Sequence, residues 1–405
     1  MTTQGTAAGL VDWRTVERLS ALIPAGPSAS RSARASSVAV LRRSAQEAPA
    51  WVARITGLNR AAQQVAESTR VSVVDRAGLV RASTRALRGL MEQVPAPRAS
   101  EAIQLVGAAE IAGAMSLLAT RLLGQVVPAA PSGPHGHGAG AADAAPPAGE
   151  GADDAAPATA PARDVTMGAG WDGAASPHLL LVAPNVLAVR RQMDLDMLDL
   201  PAWVCLHEMT HAVQLAAAPW LGPYLSDSMR MVIGAVVEAV YGGADGAGGT
   251  SPRGRGSLPR RGRAVRLAAR AGRGRVLESL MNVTDRAEVA SLAAALTFLE
   301  GHAEVVLDDV HPNRMPSVHR LRAVLSRSRA ADGGIGPGPG LGSLLLHRLM
   351  GLEAKEAQYA DGAAFVRSVV TRIGHEGLNA VWADPGLLPT PAELARPDVW
   401  VRRIS

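Results

Sequence analysis

The sequence is poor in four things, and each shortage excludes something. A single cysteine, Cys205, serves all 405 residues. No intramolecular disulfide can form, which rules out a stapled secreted domain. Aromatic residues number twelve: seven Trp, three Tyr and two Phe. The core must therefore be built from Leu, Val and Ala. Ala and Leu are the best helix formers and β-branched runs are sparse, so the expected class is mainly α, an α+β chain with little sheet. Lysine is almost missing as well. Of 41 basic residues only Lys355 is a lysine, and the rest are arginine. A net charge of +5 over this length is modest, and arginine rising together with Ala, Gly and Pro marks a GC-rich coding bias rather than a phosphate-binding surface. Long apolar runs are lacking too. The most apolar stretch, Ile103 to Val127, is broken by Gln104, Glu110, Arg121 and Gln125, short of the roughly 18 uninterrupted residues of a membrane span. The opening MTTQGTAAGLVDWRTVE lacks a basic leader before an apolar core. The expectation is a cytoplasmic protein with no membrane contact.

What is present divides the chain by composition. From about Val11 to Val127 the pattern is helical, with apolar residues at three- and four-residue spacing over Ser36–Gln46, Val52–Ser68 and Ala82–Gln93. Glu101 to Val127 reads as one long, largely buried helix. Residues 1–127 thus form an N-terminal helical region. The next stretch, 128–177, is almost wholly Ala, Gly, Pro, Asp and Ser. It cannot bury enough apolar surface to offset chain entropy and reads as a linker. Residues 178–405 form the second region. Leu179 to Ala183 is the best strand candidate, one that an extended peptide could pair with if it lies at a sheet edge. Pro201 and Pro219 bracket a helix. A Gly/Arg-rich loop is expected at 242–263. A helix is expected to open at Asp285, with others near Ser317–Arg329, Leu341–Gly351 and Gly362–Ile373. Thr390-Pro-Ala-Glu393 has the form of a capping box.

One motif carries chemistry: His207-Glu208-Met209-Thr210-His211, an HExxH sequence. Two histidines four apart lie one turn apart on one helical face and can grip a single Zn²⁺. The glutamate between them projects beside the ion, placed to take a proton from an activated water. Cys205 lies two residues before His207 and points about 200° away around the helix, so it is a core thiol.

A catalytic zinc needs a third protein ligand. The metzincin extension would require Gly at 214 and His at 217, where the chain has Gln214 and Ala217. The other common solution is a glutamate from a later helix. In the helix from Asp285, Val289, Leu292, Leu296, Leu299, Ala303, Val306 and Val310 form a clean apolar stripe. Glu300 stands at its edge, where a carboxylate faces inward only with a partner, and is the expected ligand. Glu304 and Asp308 follow at four-residue steps and are candidates to orient a ligand histidine. A zinc hydrolase also needs a donor for the developing oxyanion. Tyr359, His302, His375 and Tyr224 are the available candidates, and Tyr359 is preferred only for its place in AKEAQYADGAAFVRSV, a segment that resembles a known family.

Glu300-Gly301-His302-Ala303-Glu304 resembles the EGxA element that carries the zinc-binding glutamate in gluzincin aminopeptidases. More broadly, WVCLHEMTHAVQLAAAPWL and LEGHAEVVLDDV are similar to a family of actinobacterial zincin-like metallopeptidases, one branch of which is associated with deazaflavin coenzyme biosynthesis. The likeness extends to VVDRAGLVRAS and to AKEAQYADGAAFVRSV, and to GLNAVWADPGLLPT. The resemblance implies a zincin-like catalytic domain with zinc on His207, His211 and Glu300 and with Glu208 as base. The expected activity is hydrolysis of a peptide or related amide bond, and the expected partner is a peptide or small amide substrate. The alternative is a zinc-binding protein of the same fold that serves as a scaffold, against which the intact Glu208 argues. Nucleic acid is not an expected partner, because the arginines near 253–263 lack interleaved aromatics for base stacking. The oligomeric state is left open.

Overall fold

The computed structural model describes residues 5–127, 177–241, 283–330 and 362–405. Their elements run β1 (Gly5–Thr6), α1 (Trp13–Ser20), α2 (Arg31–Thr56), α3 (Asn59–Ser68), β2 (Arg70–Val74), α4 (Arg76–Glu92), β3 (Pro95–Ala96), α5 (Glu101–Arg121), β4 (Gly124–Val127), β5 (His178–Val182), α6 (Ala183–Gln192), α7 (Asp199–Ala217), α8 (Leu221–Tyr241), α9 (Val283–Asp308), α10 (Val318–Ala330), α11 (Gly362–Leu378), α12 (Pro391–Leu394) and α13 (Pro397–Ile404). The class is mainly α with a small sheet, as the composition implies. The described residues before 128 and after 176 belong to one compact unit.

Helix α7 is the axis of that unit. Asp199 and Pro201 occupy its first turn and Pro219 follows its end, so the helix is bounded where its prolines require. Its residues are buried from Asp199 to Gln214 with few exceptions, and a helix buried on every face must be central. Leu41, Ala45, Ala48 and Val52 of α2 share one core with Val204, Leu206, Met209 and Val213 of α7. α2 itself is capped at both ends: Ser30 accepts from Ala33 N–H, and Gly57 closes the helix in the left-handed conformation.

The sheet settles the place of one expected strand and corrects the extent of an expected helix. Its order is β2-β5-β4, with β2 parallel and β4 antiparallel to β5. The run around Leu179 is therefore the central strand and not an edge. Leu179 and Leu181 face the core around α7, while Leu180 and Val182 face a second core with α4 and α5. A strand buried on both faces reads as a continuous apolar run, which is why this one was visible. The long helix expected over 101–127 ends at Arg121, and Gly124–Val127 turns into β4. Leu122 takes an extended conformation, and pairing of Val126 with Leu179 outweighs whatever helical tendency remains. The N-terminal stretch, expected to be helical throughout, likewise yields β2.

By length and mean hydropathy α5 and α9 are sufficient to cross a membrane. α9 uses that apolar surface internally: Val289, Leu292, Leu299, Ala303 and Val306 are buried. The Thr390–Glu393 capping box is formed in both directions. α9 begins at Val283, two residues before the expected start. The stretch 128–176, the loop at 242–263, the helix expected over 341–351 and Tyr359 lie outside the described residues.

α9 and α11 cross at two glycines. A Cβ on Gly301 would lie 2.2 Å from the Gly362 carbonyl carbon, and one on Gly362 would lie 2.0 Å from the Thr297 carbonyl oxygen. Backbone cannot yield as a flexible side chain can, so both positions demand glycine. This crossing accounts for the glycine that follows Glu300. The variant Gly301→Ala is expected to lose about 3 kcal/mol or more of stability, read as a lower midpoint in urea unfolding.

Candidate metal centre

The HExxH turn lies in the middle of α7, and α9 crosses beside it. His207 Nε2 and His211 Nε2 are 3.2 Å apart. Glu300 reaches them from α9, with one carboxylate oxygen 3.4 Å from His207 Nε2 and the other 3.5 Å from His211 Nε2. Among the described residues these three form the one cluster of His, Cys, Asp and Glu able to hold an ion. A tetrahedral zinc with bonds of about 2.0–2.1 Å sets its ligand atoms roughly 3.3 Å apart, which matches all three separations. The residues fit the group. Each of the three expected ligand positions is brought to one point by helices distant in sequence.

Glu208 is 3% exposed, on the side of α7 that faces the sheet. A Cβ on Gly124 would fall 2.7 Å from Glu208 Cγ, so β4 approaches the carboxylate as closely as a backbone can. Burial pushes the Glu208 carboxyl up to about 8; His207 opposes the shift and the Glu300 charge adds to it. Burial likewise holds the His211 imidazole below its ordinary value, leaving it neutral, as a metal ligand must be.

The residues expected to orient the ligands hold surface cations as well. Glu304 and Asp308 face Arg367, at 3.0 Å and 2.6 Å, and Asp308 also meets Arg322. Their place on the outer flank of α9 directs them to cations at the surface. Gln214 is placed to orient His211: its Oε1 lies 2.9 Å from His211 Nδ1 and its Nε2 donates to the Leu299 carbonyl at 3.0 Å. One amide thus ties a candidate ligand histidine of α7 to the backbone of α9 one residue before Glu300. Its spacing, three residues beyond His211 on the same helical face, was the available signal.

The alternative oxyanion donors are also placed. His302 is fully buried behind Gln214, within 2.9 Å of its Nε2, and burial holds it down at about 3, with smaller contributions from His375 and His211. His375 pairs with Asp309. Tyr224 packs edge-on against Trp220, ring centroids 6.1 Å apart. Cys205 is buried against the Leu41 carbonyl, and burial raises its thiol; it is a core residue.

The buried Glu208 has a consequence for the metal-free protein. Its folded pKa lies above the ordinary 4.5, so its contribution is fully present below pH 4.5 and is lost as the pH rises to about 8. Glu208→Gln should remove this slope and stabilise the metal-free chain by several kcal/mol at pH 8 while changing little at pH 4. Thermal unfolding across that range checks it; parallel pH profiles for both proteins would contradict it.

Comparison with known proteins agrees with this architecture. A solved structure from Chloroflexus aurantiacus, described as a "putative hydrolase with a novel fold", superposes with a TM-score of 0.54 at 20% sequence identity, covering 97% of this chain and 98% of that one. At that identity the likeness concerns the fold. No match is found among curated proteins. The family model for zincin-like metallopeptidases matches residues 11–401, nearly the whole length over which two histidines and a glutamate are brought together. The chain belongs to the zincin-like metallopeptidase family.

Proposed function

We propose that the protein is a zinc-dependent hydrolase that cleaves a peptide or related amide bond in the cytoplasm. The observation that carries the reading is the convergence of His207, His211 and Glu300 at tetrahedral separations, with Glu208 buried beside them. A bound zinc supplies polarisation of the scissile carbonyl and acidification of a water. Positive charge held at the ligand set draws the neighbouring Glu208 towards its charged form, reversing the effect of burial. As a carboxylate, Glu208 accepts the proton of the attacking water and returns it to the leaving amine. Gln214 keeps His211 Nε2 turned to the site. Tyr359 remains the proposed donor to the oxyanion.

The sheet supports a peptide substrate. β4 is an outer strand among the described residues, and its Gly124 lies against Glu208. An extended chain adding to that edge would run past the base and the ligand cluster, with main-chain hydrogen bonds fixing its register.

Metal analysis of the purified protein should give one zinc per chain, lost in Glu300→Ala. In a peptide-library screen, Glu208→Gln should lower turnover by more than about a hundredfold while retaining zinc. Wild type and Glu208→Gln that never differ would defeat the hydrolase reading and leave a scaffold role.

A further inference from the structure

The hydrogen bonds behind His211 can be assigned atom by atom. The Nε2 atoms of His207 and His211 face each other and Glu300. On the metal-site reading, on which this inference rests, His211 then keeps its proton on Nδ1 and donates it to Gln214 Oε1. The Leu299 carbonyl can only accept, which fixes the orientation of the Gln214 amide: Nε2 donates to Leu299 O and to His302 Nδ1. His302 Nδ1 is thereby an acceptor, and the single proton of that ring lies on Nε2. Beyond it, His375 Nε2 is 2.9 Å from Asp309 Oδ2. A carboxylate accepts, so this nitrogen is the donor and a neutral His375 is left with a bare Nδ1.

Two atoms remain. His302 Nε2 and His375 Nδ1 are both buried without a hydrogen-bond partner, and one is a donor where the other is an acceptor. The rings are neighbours in a T-shaped arrangement, centroids 6.3 Å apart, too distant for a direct nitrogen-to-nitrogen bond. Phe298 and Trp382 flank the His302 ring, at 6.4 Å and 5.3 Å between centroids. Buried polar atoms of this kind are commonly satisfied by an internal water. A metal ion does not suit the position, because His302 Nε2 carries a proton and cannot offer a lone pair.

We infer that a single buried water bridges His302 Nε2 and His375 Nδ1, and that both histidines are positioning residues for the metal ligand His211. The bridge completes a chain in which every donor points away from the site: His211 to Gln214, Gln214 to His302, His302 to water, water to His375 and His375 to the Asp309 carboxylate. Such a chain admits only one tautomer of His211. It also strengthens Nε2 as a ligand, because donation from Nδ1–H to a polarised acceptor makes the ring more basic.

Zinc affinity measured by competition with a chelator tests this without reference to turnover. His375→Phe, which keeps a ring but removes both nitrogens, should bind zinc about tenfold more weakly. His375→Gln, whose amide can accept from the water and donate to Asp309, should restore most of the loss. Glu300→Ala serves as control. Wild-type affinity in His375→Phe, with zinc lost in Glu300→Ala, would overturn the chain and leave the metal site standing. Zinc retained in Glu300→Ala would overturn both. Histidine side-chain NMR of the wild type gives an answer that survives a folding failure in any variant. A slowly exchanging Nε2–H on His302 is expected, and an Nδ1–H tautomer there would refute the chain.

Discussion

The structure turns on one constraint: a helix buried on every face carries two histidines and a glutamate in a single turn. Ionisable groups inside a protein are costly unless each finds a partner. Three arrangements at this turn answer that demand. α9 brings a carboxylate to the two imidazoles, Gln214 takes the outward nitrogen of one of them, and β4 gives up a side chain so that Glu208 can fit. Without these arrangements the turn would be a defect in the core. With them it is a prepared cluster of lone pairs.

Precision at the cluster comes from backbone as much as from side chains. Glu300 precedes the glycine at which α9 meets α11, and Leu299 offers its carbonyl to the amide that holds His211. The position of α9 along α7 is thus set on two sides of the ligand. Rigid helices make better platforms for a metal than loops, because a ligand atom must be held to within a fraction of an ångström.

The sequence disclosed those parts of the site that are local. HExxH is legible because its meaning lies in one turn of helix, and Glu300 because a carboxylate beside an apolar stripe asks for a partner. What it concealed is non-local. β2 and β4 are short, and their reason for being strands is β5, which enters after the stretch 128–177. Seen alone, Leu122–Val127 continues a helix. Gln214 served in the sequence only to exclude a metzincin, since its value depends on Leu299 and His302, far along the chain. The arginine partner of Glu304 and Asp308 was hidden because helical spacing gives the side of a helix but not what faces it, and Arg367 belongs to another element.

The order of these parts along the chain bears on when the His–His–Glu cluster can form during synthesis. Gly124 is made first, His207 and His211 follow, and Glu300 comes later. The glycine that lets α9 settle against α11 is residue 362. A ribosome-bound chain that has emerged only as far as α8 holds His207, Glu208 and His211 but not Glu300, so the cluster is incomplete. Domains form as their segments emerge, and here the segments that complete the cluster follow the HExxH turn well along the chain. The cluster therefore closes only once α9 has packed against both α7 and α11, after the HExxH turn has long been made.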